Sequence, residues 1–218
     1  MAIHHRDSAD DAARLSSEIE AMGGRAVALS ADLADVVATH ELIGRAVAAL
    51  GPLAVLVNNA SVFADDRLDT ITGDSWASHL DVNLRAPVLL AQAFAAQAPD
   101  GSVVINILDQ RVLKPDPRFF SYGLSKSALW VATRTMAQAL APRIRVNGVG
   151  PGPTLPSVHQ TAGEFEAEAR ATPLQRAGSP EAVAEAVRWL VDARQVTGQM
   201  IAVDGGQHLA WQTPDIVE

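Results

Sequence analysis

The feature that most constrains the fold is a repeated alternation between short apolar runs and longer stretches of helical period. Nearly continuous apolar runs are typical of strands in a parallel sheet that helices cover on both faces. Repeated βα units join such strands through crossover helices. The sequence therefore predicts an α/β, Rossmann-like doubly wound parallel sheet, in which ligands bind beyond the carboxyl ends of the strands.

The apolar runs and the helical stretches can be placed along the chain. Strands are predicted for AIHH at 2–5, RAVALSAD at 25–32, LAVLVNNA at 53–60, GSVVINIL at 101–108, RIRVNGVG at 143–150 and QMIAVDGG at 199–206. Helical periodicity covers residues 12–22, 74–97 and 121–140 and the segment around Ile43. Ser179 and Pro180 are typical of an N-cap and a first-turn proline, so another helix is expected after them.

Length and composition restrict the class of protein. A chain of 218 residues with 48% hydrophobic residues suits one domain over residues 1–218. The net charge is −8 and Lys and Arg form no cluster, which argues against binding of nucleic acid. There is no cysteine and the six histidines are scattered, so no metal site is predicted. Because no apolar run is long enough to span a bilayer, we expect a cytoplasmic protein without membrane contacts.

The stretch SYGLSK at 121–126 contains the only tyrosine of the chain. Tyr122 and Lys126 are four residues apart on a predicted helix and therefore share a face. In one interpretation Tyr122 packs in the core and Lys126 lies across its ring. In the other, the ammonium of Lys126 favours the ionised phenol, lowers the pKa of Tyr122 from about 10 and prepares it as a general acid.

Six motifs decide between these interpretations, because their order and spacing resemble the short-chain dehydrogenase/reductase family along the whole chain. They are ADL at 31–33, LVNNAS at 56–61, DVN at 81–83, YGLSK at 122–126, RVNGVGPG at 145–152 and TGQMIAVDGG at 197–206. Within that family the chain is most similar to the pteridine and dihydromonapterin reductase branch. That branch has an aspartate thirteen residues before the tyrosine, where Asp109 stands, and it shares HHR at 4–6 and NNASVF at 58–63.

The resemblance implies a reductase that acts on a pteridine or a similar flat ring, with catalytic residues Asn83, Asp109, Tyr122 and Lys126. Tyr122 is then the general acid, and Lys126 also holds the nicotinamide ribose. Asn83 is expected to hold a water that links Lys126 to solvent. The substrate-binding residues implied in the same way are Phe63, which stacks on the ring, and Asp109 and Tyr122, which contact its polar groups.

Each of these assignments has a structural alternative. Asn83 can be a buried amide that binds backbone, and Phe63 can be a core aromatic. Asp109 can cap a turn or pair with Arg111. Phe119 can simply anchor the loop before the helix.

The nucleotide preference depends on the residues that end the first strand. A carboxylate there binds the adenosine ribose, whereas Arg6 can bind a 2′-phosphate through two donors. Asp7 is discordant, because its carboxylate could face the ribose. The resemblance implies NADPH, held by His5, Arg6, Ser8, Asp32, Leu33, Asn58, Ala60, Ser61, Tyr122, Lys126, Pro151, Gly152 and Thr154. For Gly152 the alternative is a tight turn after a strand.

The remaining expectations concern the surroundings of the site. Residues 155–178 are polar and mixed and are predicted to form a substrate lid. Family resemblance implies a homo-oligomer, a tetramer or a dimer. A carbonyl or 3-oxoacyl reductase with an aspartate variant is the alternative enzyme.

The largest departure from the family lies at the start of the sequence. The family begins with a strand, a glycine-rich TGxxxGxG turn and a helix, which bind the pyrophosphate on backbone N–H groups. Here the first strand, AIHH, matches the family's second strand, so a slot is expected between AIHH and LAVLVNNA. Three interpretations follow: a longer natural protein, which we favour, a shortened non-catalytic partner that no longer binds nucleotide, or a site weakened by closure of the slot.

The intact mass of the protein from its native source separates these interpretations. We expect a mass several kilodaltons above 23.0 kDa, because one βα unit is about thirty residues. A mass of 23.0 kDa would instead favour the non-catalytic partner.

Overall fold

The computed structural model describes residues 1–211, in which strands and helices alternate as the sequence predicts. The strands are β1 (Ala2–His5), β2 (Val27–Ser30), β3 (Val55–Asn58), β4 (Ser102–Ile107), β5 (Ile144–Pro151) and β6 (Met200–Val203). The helices are α1 (Ala9–Ala21), α2 (Val36–Leu50), α3 (Gly73–Leu80), α4 (Ala86–Gln97), α5 (Phe120–Leu140), α6 (Ala162–Arg170) and α7 (Pro180–Asp192). The last seven residues of the predicted domain, 212–218, lie outside the described part.

The strands form two parallel sheets that are not hydrogen-bonded to each other. β1 pairs with β2, and the second sheet has the order β3-β4-β5-β6. Within residues 1–211, β1 and β3 each have one edge without a strand partner, and a cavity of about 1120 Å³ lies between them. The predicted parallel α/β architecture and the predicted slot are both confirmed.

The core lies on both faces of the larger sheet, because successive residues of a strand point to opposite faces. Val104 faces a layer formed by α2, α4 and α5, in which Phe94 is fully buried. Val103 and Ile105 face α7, where Leu190 is fully buried. A sheet covered on both sides leaves its polar chemistry at the strand ends.

The long helical stretch predicted for residues 74–97 is divided in two by a π-helical turn, Asp81–Arg85. Such turns are rare and often stand at functional sites. The turn contains Asn83, whose buried side chain binds the loop that follows β3. The periodicity of the sequence does not reveal this turn. The apolar residues continue into α4, and a single inserted residue hardly alters their helical spacing.

The other differences are small. Observed strands are shorter than the predicted runs by one to two residues at several ends, as expected for fraying and turn geometry. Helix α6 lies inside the predicted lid and begins with a capping box between Thr161 and Glu164. Within residues 1–211, none of the helices combines the length and the apolar character that a membrane crossing requires. That part of the chain also contains no group of acidic or histidine side chains arranged to hold a metal ion.

Two leucines of α5 provide a test of this packing. Leu129 is 1% exposed, whereas Leu124 is 42% exposed on the same helix. We expect Leu129→Ala to lower the free energy of unfolding by about 2–5 kcal/mol, because it leaves a cavity in the core. Leu124→Ala is the matched control and is expected to change it by less than about 1 kcal/mol. Urea denaturation of both variants measures the difference, and equal losses would contradict the packing described.

Candidate active site

A cavity of about 660 Å³ opens where the carboxyl ends of β3, β4 and β5 meet the first turns of α5. Parallel strands end at the same edge of a sheet, so residues distant in sequence converge there. The predicted residues that line this cavity are Ser61, Phe63, Asp109, Tyr122, Lys126, Pro151, Gly152 and Thr154.

Asp109 connects the end of β4 to the first turn of α5. The Tyr122 hydroxyl donates a hydrogen bond of 2.8 Å to Asp109 Oδ2. The other carboxylate oxygen accepts from the Arg111 backbone N–H at 2.8 Å, and Arg111 Nη1 lies 3.2 Å from Oδ2. The capping and pairing role proposed as an alternative for Asp109 is therefore present, together with a direct contact to Tyr122.

The expected direction of the pKa shift at Tyr122 is wrong for this structure. Tyr122 is 6% exposed, and burial raises the pKa of its hydroxyl well above the ordinary value. The Asp109 carboxylate raises this pKa further, by its charge and by accepting a hydrogen bond from the neutral phenol, whereas the charge of Arg111 lowers it. Burial and a carboxylate neighbour dominate here because a phenolate in this place would be poorly solvated and next to a negative charge.

Lys126 lies beneath the tyrosine ring, as the four-residue spacing predicts. Its Nζ is 5.8 Å from the centroid of the Tyr122 ring and donates a hydrogen bond of 2.8 Å to the Ile107 carbonyl. Burial lowers the pKa of Lys126 to about 8, although the Asp109 carboxylate acts to raise it. A lysine with this pKa exchanges protons readily near neutral pH.

The side chain of Asn83 is fully engaged in hydrogen bonds. Its Oδ1 accepts from the Val62 N–H at 2.8 Å and from the Ser61 hydroxyl at 3.1 Å. Its Nδ2 donates to the Val62 carbonyl and to the Ser125 hydroxyl. Asn83 therefore fixes the loop after β3 to α5, which matches its structural alternative, and its link to a water stays a prediction.

Aromatic side chains form one wall of the cavity. The rings of Phe63 and Phe119 are stacked with centroids 4.2 Å apart, and Tyr122 meets the edge of Phe63 at 4.7 Å. Arg111 lies over both phenylalanine rings at 5.8 and 5.6 Å. His159, from the predicted lid, has Nε2 3.3 Å from the Phe63 carbonyl oxygen. Phe63 thus lines the cavity rather than the core, and Phe119 lines the cavity beside it.

The slot between β1 and β3 collects the predicted adenosine-side residues. It is lined by His5, Arg6, Ser8, Asp32, Leu33, Asn58, Ala60 and Ser61. Two buried polar atoms in this set, His5 Nδ1 and Asn58 Oδ1, have no hydrogen-bond partner within the described chain. Ser8 stands at the N-cap of α1 without a capping hydrogen bond from its side chain. A polar ligand in the slot would satisfy these groups.

Arg6 and Asp7 form a salt bridge of 2.6 Å at the mouth of the slot. Both side chains are exposed, so the pair is weak and a phosphate can compete for the guanidinium. Asp7 therefore faces Arg6 in this structure. Asp32 is also used locally, because its Oδ1 accepts from the Ala34 backbone N–H at 2.9 Å.

Gly152 illustrates the structural alternative given for it. A Cβ at this position would lie 2.7 Å from the Cα of Asp204, so the glycine is required where β5 approaches the end of β6. The same close approach places the backbone of Pro151 and the hydroxyl of Thr154 at the rim of the cavity. Packing thus accounts for the glycine, and contact with a cofactor stays a prediction for all three.

Several residues of the site have no signal in the sequence. Gln110 and Arg111 line the cavity, and each has a buried polar atom, Oε1 and Nε, without a partner within residues 1–211. Phe119 enters the wall with a backbone φ of 52°, which is uncommon for a residue other than glycine. Lone residues of these types carry no spacing pattern. Only their positions, next to Asp109 or just before SYGLSK, could have suggested that they belong to the site.

Comparison with known proteins identifies the family. A family model described as enoyl-(acyl carrier protein) reductase matches residues 1–208. An uncharacterised oxidoreductase of Methylorubrum extorquens is 34% identical over 214 residues, which cover 94% of this chain and 86% of the relative. The chain belongs to the short-chain dehydrogenase/reductase family. It is therefore an oxidoreductase.

Two further short-chain relatives bear on the activity. The crystal structure of FolM alternative dihydrofolate reductase 1 from Brucella canis, complexed with NADP, has a TM-score of 0.95 and 48% identity, and the match covers 99% of this chain and 86% of that one. A 3-oxoacyl-[acyl-carrier-protein] reductase of Synechocystis is 30% identical over 212 residues, which cover 94% of this chain and 85% of the relative.

The single tyrosine allows the electrostatics of this short-chain reductase site to be measured directly. We expect the tyrosinate absorbance at 295 nm to appear only above pH 10 in the ligand-free protein, because burial and Asp109 both raise the pKa of Tyr122. Asp109→Asn removes the charge and is expected to lower the titration midpoint by about 1 pH unit or more.

Asp116→Asn is the matched control, since Asp116 pairs with Arg118 at 2.6 Å and does not contact Tyr122. Circular dichroism at each pH shows that the fold is retained. Equal tyrosinate titration midpoints in the Asp109→Asn and wild-type proteins would contradict the coupling between Asp109 and Tyr122.

Proposed function

We propose that this chain is an NADPH-dependent reductase of a dihydropteridine or a similar small heteroaromatic ring. The observation that carries the proposal is the carboxylate of Asp109 at the place where it binds the Tyr122 hydroxyl. A carboxylate only accepts hydrogen bonds, so its substrate partner must be a donor. A pteridine presents ring N–H and amino groups, whereas a simple carbonyl substrate presents an acceptor.

The remaining surfaces of the cavity fit a flat, polar ring. Phe63 and Phe119 supply an aromatic wall on which a ring can stack. Gln110 Oε1 and Arg111 Nε are an acceptor and a donor that await partners beside Asp109. A ring that carries donors and acceptors along one edge would satisfy all three side chains.

The residues that line the slot and the cavity fit NADPH. His5 Nδ1 and Asn58 Oδ1 are buried without partners in the slot, and Arg6 is the group suited to the 2′-phosphate. Ser8, Asp32, Leu33 and Ala60 complete the adenosine side. Ser61 belongs to both cavities, while Lys126, Pro151, Gly152 and Thr154 stand at the nicotinamide side. When bound, NADPH supplies the hydride.

The chain's own residues supply the proton and the orientation. Substrate donors that bind Asp109 replace the Tyr122 hydroxyl on the carboxylate and so weaken the effect by which Asp109 raises the pKa of Tyr122. The freed phenol then protonates the ring nitrogen that becomes basic on reduction. Lys126, with a pKa of about 8, restores the proton through the solvent side that Asn83 is proposed to serve.

The lid and the assembly are part of the same proposal. Residues 155–178 include α6, and Glu168 from this helix accepts hydrogen bonds from Gln160 and Gln207 at the cavity rim. We propose that this segment closes over the substrate. A homo-oligomer is supported by the exposed apolar side chains Val88 and Val131 on α4 and α5.

A carbonyl or 3-oxoacyl reductase is the second candidate, favoured by the identity to the Synechocystis relative. It predicts that the donor-seeking carboxylate is dispensable. The non-catalytic partner considered from the sequence is not proposed, because the chain is an oxidoreductase.

Two substitutions separate the two candidates in an assay of NADPH oxidation. With a 7,8-dihydropterin as substrate, we expect Tyr122→Phe to lower kcat by at least about 100-fold, because the proton donor is lost. We expect Asp109→Ser to lower kcat/KM for the dihydropterin by about 100-fold and to leave reduction of a 3-oxoacyl thioester unchanged or increased.

The control is Asp116→Ser, which removes the carboxylate that pairs with Arg118 in the neighbouring loop. Dihydropterin turnover that survives Asp109→Ser but not Tyr122→Phe would favour the carbonyl reductase. Activity that survives both would overturn the general-acid role.

A further inference from the structure

A buried chain of hydrogen bonds lies behind the aromatic wall of the cavity and involves three residues from separate elements. Asp66, in the loop after β3, is 4% exposed, and His79 of α3 and Ser121 of α5 are fully buried. The Ser121 hydroxyl donates to Asp66 Oδ2, and His79 Nδ1 lies 2.6 Å from the same hydroxyl. On the other side of the imidazole, the Ala64 backbone N–H donates to His79 Nε2 at 3.1 Å.

The partners fix the direction of every hydrogen bond in the chain. Because Ala64 donates to Nε2, that nitrogen carries no proton, and the neutral imidazole donates from Nδ1 to Ser121. Burial lowers the pKa of His79, which keeps it neutral. Burial acts to raise the pKa of Asp66, but the hydrogen bonds from Ser121, together with Ser75 and the nearby His79, outweigh it and the pKa is lowered. The order is thus N–H to imidazole to hydroxyl to carboxylate, with no group left over.

Asp66 also performs the capping that α5 lacks in its own sequence. The residue at the N-cap is Phe119, which has no capping side chain and has a positive φ. In its place, the Asp66 carbonyl accepts from the Phe120 N–H at 3.0 Å, and Asp66 Oδ1 accepts from the Ser121 N–H at 2.9 Å. A carboxylate at a helix N-terminus is favoured by the helix dipole. The helix turn that carries Tyr122 is therefore held from outside the helix.

The two ends of the chain reach the two sides of the cavity. Ser121 immediately precedes Tyr122, and Ala64 immediately follows Phe63. The Tyr122 hydroxyl donates a hydrogen bond of 2.8 Å to Asp109, and the Phe63 and Tyr122 rings pack in a T-shaped arrangement with centroids 4.7 Å apart. His79 is therefore connected to the phenol through Ser121 and through its own ring, whose centroid lies 6.1 Å from that of Tyr122, and to the stacking ring through Ala64.

We propose that Asp66, His79 and Ser121 are positioning residues that set the Tyr122 hydroxyl and the Phe63 ring relative to each other. The inference rests on the proposed role of this cavity as the reductase site. It assigns no proton transfer to the three residues, which do not line the cavity. His79 is the branch point, because its Nδ1 serves the Tyr122 side and its Nε2 serves the Phe63 side.

Two conservative substitutions of His79 separate the two sides. The amide nitrogen of asparagine can take the place of Nδ1 and keep the bond to Ser121, whereas the amide oxygen of glutamine can take the place of Nε2 and keep the bond from Ala64. We expect His79→Gln to lower the tyrosinate titration midpoint of Tyr122 by about 1 pH unit, because the bond to Asp109 is loosened. We expect His79→Asn to leave the midpoint unchanged.

Kinetics with the dihydropterin should divide in the same way. His79→Gln is expected to lower kcat by about tenfold with KM retained, because the acid is misplaced. His79→Asn is expected to raise KM by about tenfold with kcat retained, because the stacking ring is misplaced. Ser121→Ala should reproduce His79→Gln in both readouts.

The matched control is Thr133→Val on the same helix. Thr133 is also fully buried, and its hydroxyl accepts from Asn106 at 2.8 Å and donates to Leu129 at 2.7 Å. We expect it to lower thermal stability without moving the tyrosinate midpoint. If His79→Gln and His79→Asn shift the midpoint equally, or if neither does, the positioning role is wrong. The titration needs no substrate, so a failure of dihydropterin turnover counts against the proposed function alone.

Discussion

The parallel pairing of β3, β4 and β5 is the constraint on which the site depends. It brings the carboxyl ends of three strands to one edge, between the two apolar layers that cover the sheet. Asp109 follows β4 at this edge, and the loop after β3 carries Phe63. Tyr122 meets these side chains only if the first turn of α5 lies at the correct position. The Asp66 carboxylate holds that turn, since α5 has no capping side chain of its own.

The surroundings of Tyr122 hold its hydroxyl in the neutral form. Tyr122 donates a hydrogen bond to Asp109, and both burial and this contact keep the phenol neutral. Lys126 is buried below it with a lowered pKa and is bonded to a backbone carbonyl. The three groups therefore carry little net charge in a poorly solvated place, which limits the cost of burying them before a ligand arrives. Binding of donor groups to Asp109 is what would change this balance.

The sequence predicts the fold and most of the site because both depend on repeated or spaced patterns. Apolar runs define the strands. Asp109 follows the end of a strand, Tyr122 and Lys126 lie on one helix, and all three line the same cavity. The predicted direction of the Tyr122 pKa was wrong, because spacing shows which charges are near and does not show how deeply a group is buried. Phe119 and His79 could not be predicted, since a lone aromatic and a lone histidine acquire their contacts only when the loop after β3 meets α5. The π-helical turn at Asn83 was missed because a single inserted residue hardly alters helical periodicity.

The division of the polar groups between two cavities has a consequence for how the protein can diversify. Arg6 and Asp7 line only the slot, whereas Phe63 and Asp109 line only the catalytic cavity, and Asn59 and Ser61 are common to both. Side chains far apart with no shared partner contribute independently to binding. Under the proposed assignment of nucleotide to the slot and substrate to the cavity, the two preferences can therefore change separately, while a change in the short shared loop affects both.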